Sequence, residues 1–402
     1  MIQVSTLRAT LQKSTTVKYA VVGAAALFAF SFLFTNKFSI LALWALILAA
    51  VTTFAVHRKI NIKAIYVFPV VFFTFRMVSL AFAPPDVTFK HVENCLPLLI
   101  MPALFSLFRL SQAQAKWFLQ GVFYALLLAI GVAWLVFLQN IISSPETFWE
   151  VLRYPKSHSL LFLGRLLFWH SSFLSIAISA IIPVSFYLCI NKYVKPLLMW
   201  VALMLSIVFI FLTGSRIGIV VSGFLLLLSL AYYYKQTSLP VKIGILLLLL
   251  LTALCAYFSP YTITSDPERA NLYSLGMKVI SEKPVCGSGV YSMHRYITSE
   301  EIAQKYDAHY GYTFNHFHNT FIDEAVQFGL VGGLLLVAFF ACLAFMAIRK
   351  KDFLLMAFLA IYLPFAYVES IFMSVKGIMP FMFWFCFLVS TQKERRELKT
   401  KN

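Results

Sequence analysis

Apolar runs of about twenty residues recur from end to end of this 402-residue chain, separated by short polar clusters, and they decide what it can fold into. A helix needs roughly 20 such residues to cross a hydrocarbon core of about 30 Å, so each run is a candidate membrane span. Residues 245–251 are apolar at every position, without the alternation of a membrane β-strand, so the spans are expected to be helices. A water-soluble globule is excluded, because 61% of the residues are hydrophobic, 12% are charged and the mean hydropathy is +0.83.

The runs predict spans at 19–35, 38–56, 64–83, 95–108, 117–138, 166–190, 197–213, 217–234, 243–258, 326–348, 353–368 and 371–390. The expected fold is an all-α polytopic membrane protein with about twelve transmembrane helices and both termini on one side. With the amino terminus inside, the termini and alternate loops hold 20 of the 33 Lys and Arg but only three of the 16 Asp and Glu (Asp352, Glu394 and Glu397), leaving 13 of each sign elsewhere. The formal +17 therefore belongs to the predicted cytoplasmic side, as the positive-inside rule requires. Membrane insertion alone accounts for that basicity, and no nucleic acid is expected as a partner. Cys286 alone of the six cysteines lies in a predicted loop, so no disulfide framework is implied. The first apolar run has no small-residue cleavage pattern before the next span and is read as retained.

Three regions follow: residues 1–258 with nine spans, a soluble loop at 259–325 on the outer side, and residues 326–402 with three spans and a cytoplasmic tail. The loop, about 65 residues long, contains most of the soluble chemistry. Ser265-Asp266-Pro267-Glu268 reads as a helix start, with a capping side chain, Pro at the first helical position and an acidic first turn. That helix should run to about Glu282 and stop before Pro284, with a second short helix around 299–307, together forming a helical cap between spans nine and ten.

Candidate chemistry gathers at the outer surface. Only Gly214, Ser215 and Arg216 separate the seventh and eighth spans, so Arg216 sits at a helix amino terminus with Ser215 as its cap. Backbone donors, the positive dipole end and a guanidinium fork suit a phosphate there, although an arginine at this depth also snorkels to lipid headgroups. Arg269, in the first turn of the loop helix, is unfavourable against the dipole unless an anion, or Asp266 or Glu268, offsets it. His316 and His318 flank Phe317 just before the tenth span. A third metal ligand is not obvious, and a general base, with Asn319 or a carboxylate to orient it, is the alternative to a merely structural helix start. Arg76 is the one clear charge read within the predicted spans, where an ionisable group is costly and suggests function unless it pairs with a carbonyl or lipid phosphate. Lys278, His294 and Arg295 are candidate anion-binding residues or solvated loop charges, and Gly329, Gly332 and Gly333 are expected to permit close helix packing.

Arg216 at the short turn, Arg269 followed by 276–284 and Gly287-Ser288-Gly289, then His316-Phe317-His318-Asn319 running into 328–332 together resemble the O-antigen ligase and polymerase superfamily, over about 120 residues. Tyr273 stands where that family carries an aromatic residue after the loop arginine. The chain length and the His-x-His-Asn form look most like the ligases of Gram-negative bacteria. The resemblance implies a glycosyltransferase of the C type in the inner membrane, acting at the periplasmic face without metal or other cofactor. It would move O-antigen polysaccharide from undecaprenyl pyrophosphate to a sugar hydroxyl of lipid A-core. It implies Arg216 and Arg269 on the pyrophosphate and His318 as base, supported by His316 and Asn319; Arg76, Lys278 and Arg295, singled out above by their residue chemistry, are further candidate substrate contacts. A polymerase extending the glycan on the same carrier is the nearest alternative. A flippase or transporter is the rival of another class, disfavoured by the scarcity of charges within the spans.

Overall fold

The computed structural model describes residues 15–81, 83, 87–108, 110–142, 171–257, 267–292 and 316–395, and its described secondary structure is helical with no strand. Helix α1 is Thr15–Phe30, followed by a 3-10 turn at Ser31–Leu33; α2 is Asn36–His57; α3 is Val67–Ala81, entered through the 3-10 turn Ala64–Tyr66. The single turn α4 is Lys90–Glu93, α5 is Pro97–Leu107, and α6 is Gln112–Ile142. Helices α7 (Ser171–Ser179) and α8 (Ile181–Ile190) make one broken segment, and α9 (Pro196–Leu212), α10 (Arg216–Tyr233) and α11 (Leu239–Tyr257) follow. Last come α12 (Pro267–Glu282), α13 (Thr320–Arg349), α14 (Phe353–Val368), a 3-10 turn at Ile371–Met373, and α15 (Val375–Ser390).

Each predicted span overlaps a described helix, although 82, 166–170 and 258 lie outside the described residues, and the helices are consistent with a polytopic membrane protein. Among the described residues, six segments of 18–30 residues are long and apolar enough to cross a bilayer, and six further apolar helices have 10–17 residues. Helix α12 has the bounds expected of the loop helix. Ser265, Asp266, Arg295 and the expected helix at 299–307 lie outside the described residues.

Helix α15 is the axis of the bundle. Every residue from Lys376 to Val389 is buried, and the helix packs on α5 and α14. A helix apolar on all sides belongs inside a bundle, where each face finds a partner. Phe118 of α6 stacks on Phe387 with ring centres 4.4 Å apart. At one end of the bundle Arg395 donates to Asp352 Oδ2 at 2.6 Å, while Asp352 caps α14 by accepting from the Leu355 amide. The basic α13–α14 turn and the end of α15 therefore share one side, as the charge pattern required.

Arg76 is not the one charge within the spans, because Lys376 lies inside the twelfth and is 3% exposed. Its Nζ donates to Ser31 O at 3.1 Å and Ser39 Oγ at 2.6 Å, fastening the α1–α2 turn to α15. Asp323 and Glu324, read from the sequence as loop charges, are fully buried in the first turns of α13.

Helix α13 is broken at Phe328 (φ −125°) and Gly329 (φ +67°, ψ −167°). A break leaves backbone groups that need partners elsewhere. The segment following α12 supplies them: Ser288 N donates to Val326 O at 2.8 Å, Gly289 N to Gln327 O at 2.9 Å, and Leu330 N to Pro284 O at 2.7 Å. Contact is so close that a Cβ at Gly287 would stand 2.5 Å from the Gln327 carbonyl, and one at Gly329 would stand 2.1 Å from Val285 O. Gly329 therefore serves a backbone break rather than packing between helices. Its φ and ψ belong to a region essentially confined to glycine. Gly329→Ala is expected to destabilise the fold by about 2–5 kcal/mol, combining left-handed strain with overpacking. A thermal midpoint in detergent equal to wild type would refute this.

Candidate active site

Asn319 begins the site. Its backbone is extended, and its side-chain oxygen accepts from the amides of Phe321 at 3.0 Å and Ile322 at 3.1 Å, which caps α13. Asp323 reaches back from the first turn to accept the Phe317 amide at 3.0 Å. Between these two anchors His318 takes a left-handed conformation with φ +52°. Non-glycine residues are uncommon there, and they cluster at functional sites where surrounding contacts enforce them. Phe317 is buried in the packing between α12 and α13, and the rings of His316 and His318, its neighbours in the chain, are 4.3 Å apart edge to face.

Glu369, at the end of α14, is the hub. Its carboxylate lies 3.2 Å from His318 Nδ1 and 3.5 Å from Arg269 Nη2, and accepts from Ser172 Oγ at 2.7 Å. Thr320 Oγ1 donates to its backbone carbonyl at 2.7 Å and accepts from Ile371 N at 3.0 Å, tying the start of α13 to the α14–α15 turn. The carboxylate is 2% exposed and Arg269 is 34% exposed. The arginine is thus held at its inner edge while still presenting a surface outward. Tyr273, one turn after Arg269, donates to the carbonyls of Tyr367 at 3.1 Å and His318 at 3.3 Å. Burial pushes its phenol above the usual value, so it stays a donor across the neutral range.

Arg216 joins through α7. Ser215 caps α10 by accepting from the Gly218 amide at 3.2 Å, and Arg216 follows as the first helical residue. Ser175 Oγ is 3.2 Å from Thr213 Oγ1 at the end of α9, and Ser172, one turn earlier on α7, holds Glu369. One helix therefore connects the Arg216 turn to the Glu369 hub.

Residues 201–337 match the family model described as O-antigen ligase. This region belongs to the O-antigen ligase and polymerase superfamily. The family comprises ligases and polymerases acting on lipid-linked glycans, and the matched region contains Arg216, Arg269, His316 and His318. Glu369, Ser172 and Arg76 come from outside it. No curated protein sequence matches the chain.

Other expected site residues take different places. Arg76 is buried in an ion pair with Glu324, donates to Phe72 O at 3.2 Å, and lies over the Phe328 ring. Lys278 is exposed on α12, nine positions and about two and a half turns from Arg269, so it leaves the opposite side of the helix. Asn319 acts as a cap. Among the described residues no group of three His, Cys, Asp or Glu side chains is arranged to hold a metal. Sequence reading missed Glu369, which falls between the spans predicted at 353–368 and 371–390. The available signal was a lone carboxylate between two apolar spans.

Proposed function

We propose that this protein transfers O-antigen polysaccharide from undecaprenyl pyrophosphate to a sugar hydroxyl of lipid A-core, at the periplasmic face of the inner membrane. The observation that carries this reading is one buried carboxylate, Glu369, bonded to both Arg269 and His318. With Nδ1 directed at Glu369, the imidazole is held in the tautomer whose other nitrogen, Nε2, accepts a proton. The acceptor oxygen attacks the anomeric carbon, its proton passes to His318, and the bond from that carbon to the phosphate oxygen breaks. The bonding pair leaves with undecaprenyl pyrophosphate, whose charge Arg269 and Arg216 stabilise. Pyrophosphate is already a good leaving group, so the protein has chiefly to position, deprotonate and neutralise.

The test is the lipopolysaccharide and carrier-lipid profile of a smooth Gram-negative host lacking this gene, complemented with wild type or with Arg269→Ala. The expected result is smooth lipopolysaccharide with wild type. With Arg269→Ala, rough lipopolysaccharide and long polymer left on the carrier are expected. Single repeat units attached to core in the uncomplemented strain would mean a polymerase, and glycan trapped in the cytoplasmic leaflet would mean a flippase.

A further inference from the structure

Helix α13 belongs to two hydrophobic clusters. Ala325 and Val326, before its break, pack with Phe317 and with Leu272, Val279 and Ile280 of α12. Leu336, Phe339, Phe340 and Leu343, after the break, belong to the main core of the bundle. The break thus falls between the turns that carry His318 and the body of the protein. In a continuous helix the carbonyls of Val326 and Gln327 would take the amides of Leu330 and Val331, four residues on. Here Ser288 and Gly289 donate to those carbonyls, and the Leu330 amide goes to Pro284. The backbone of 284–289 fills the break as a latch.

The latch is tied at both ends. Its start continues directly from α12, the helix that carries Arg269. At its end, Val290 N donates to Ser79 Oγ at 2.8 Å, on α3 one turn beyond Arg76. Val290 itself packs with Val87 and Val92.

We propose that the latch, anchored on Ser79, is a positioning element of the transfer site, setting the angle at which the first turns of α13 present His318 to Arg269. The inference rests on the roles given above to those two residues. Ser79 is a positioning residue: it acts through the latch, and its hydroxyl touches no group of the Glu369 hub. Loosening the latch frees the first turns of α13, and with them the proposed proton acceptor, to shift relative to Arg269. A displacement of about 1 Å at a reacting group is enough to cost rate without costing affinity.

The test uses the full-length protein in lipid nanodiscs, comparing wild type, Ser79→Ala and Ser79→Thr. Amide exchange over 284–292 and transfer kinetics with a carrier-linked donor are both measured. For Ser79→Ala, exchange over the latch should quicken about fivefold, the weight of one hydrogen bond. Its kcat should fall about three- to tenfold with the donor KM within about twofold of wild type. Ser79→Thr keeps the hydroxyl and should restore both. Faster exchange with unchanged kcat would overturn the proposal, as would exchange indifferent to the hydroxyl. If wild type transferred no glycan, the functional reading would fail on its own, while the exchange comparison would still decide whether Ser79 anchors the latch.

Discussion

His318→Ala is expected to lower the proposed glycan transfer by about 10²–10⁴-fold, the range for removing a positioned general base, while the protein remains inserted and folded. Folding is expected to survive because the anchors of this segment are other groups: Asn319 caps α13, Asp323 holds the Phe317 amide, and Thr320 bonds the Glu369 carbonyl. The ring is 14% exposed, and its Nδ1 lies 3.2 Å from the Glu369 carboxylate. What is lost is the proposed proton acceptor and the ring contact with His316. The measurement is transfer by purified protein, normalised to the amount that elutes as a folded species in detergent. Wild-type activity of His318→Ala would sink the assignment of the base. Loss of the folded species would instead move His318 from chemistry to structure.

Arg76→Ala is expected to cost about 3–5 kcal/mol, because it leaves the Glu324 carboxylate buried without its counter-ion. Both side chains are 1% exposed, and Arg76 also donates to the Phe72 carbonyl and lies 5.2 Å from the Phe328 ring centre. Replacing both charges with apolar side chains of similar volume removes the desolvation cost along with the attraction, and such exchanges are often neutral or stabilising. The double variant Arg76→Leu, Glu324→Leu should therefore recover a thermal midpoint near wild type and retain transfer. A stable but inactive double variant would show that Arg76 or Glu324 takes part in the reaction, restoring the reading that the sequence suggested for Arg76. The comparison is informative because the single substitution alone cannot separate a substrate contact from a structural pair.

The sequence by itself determined the helical membrane class, the positions of the apolar segments, the bounds of α12, and the capping role of Ser215. It also singled out Arg216, Arg269 and His318. All of these are legible because hydrophobic period, helix caps and turn residues act over a few neighbouring positions. Tertiary structure alone decided which charges meet. Glu369 is 51 residues from His318, and Glu324 is 248 from Arg76, so no local pattern connects either pair. Lys278 read as either an anion-binding residue or a solvated loop charge, and the helix sets it exposed on the side away from Arg269. Gly329 looked like a packing glycine until the 284–289 backbone was found filling the break in α13. For the ion pairs and the broken helix the deciding quantity is burial. A charge or an open backbone carbonyl removed from water must find its partner wherever the folded chain brings one, and nearness along the chain has no bearing on that demand.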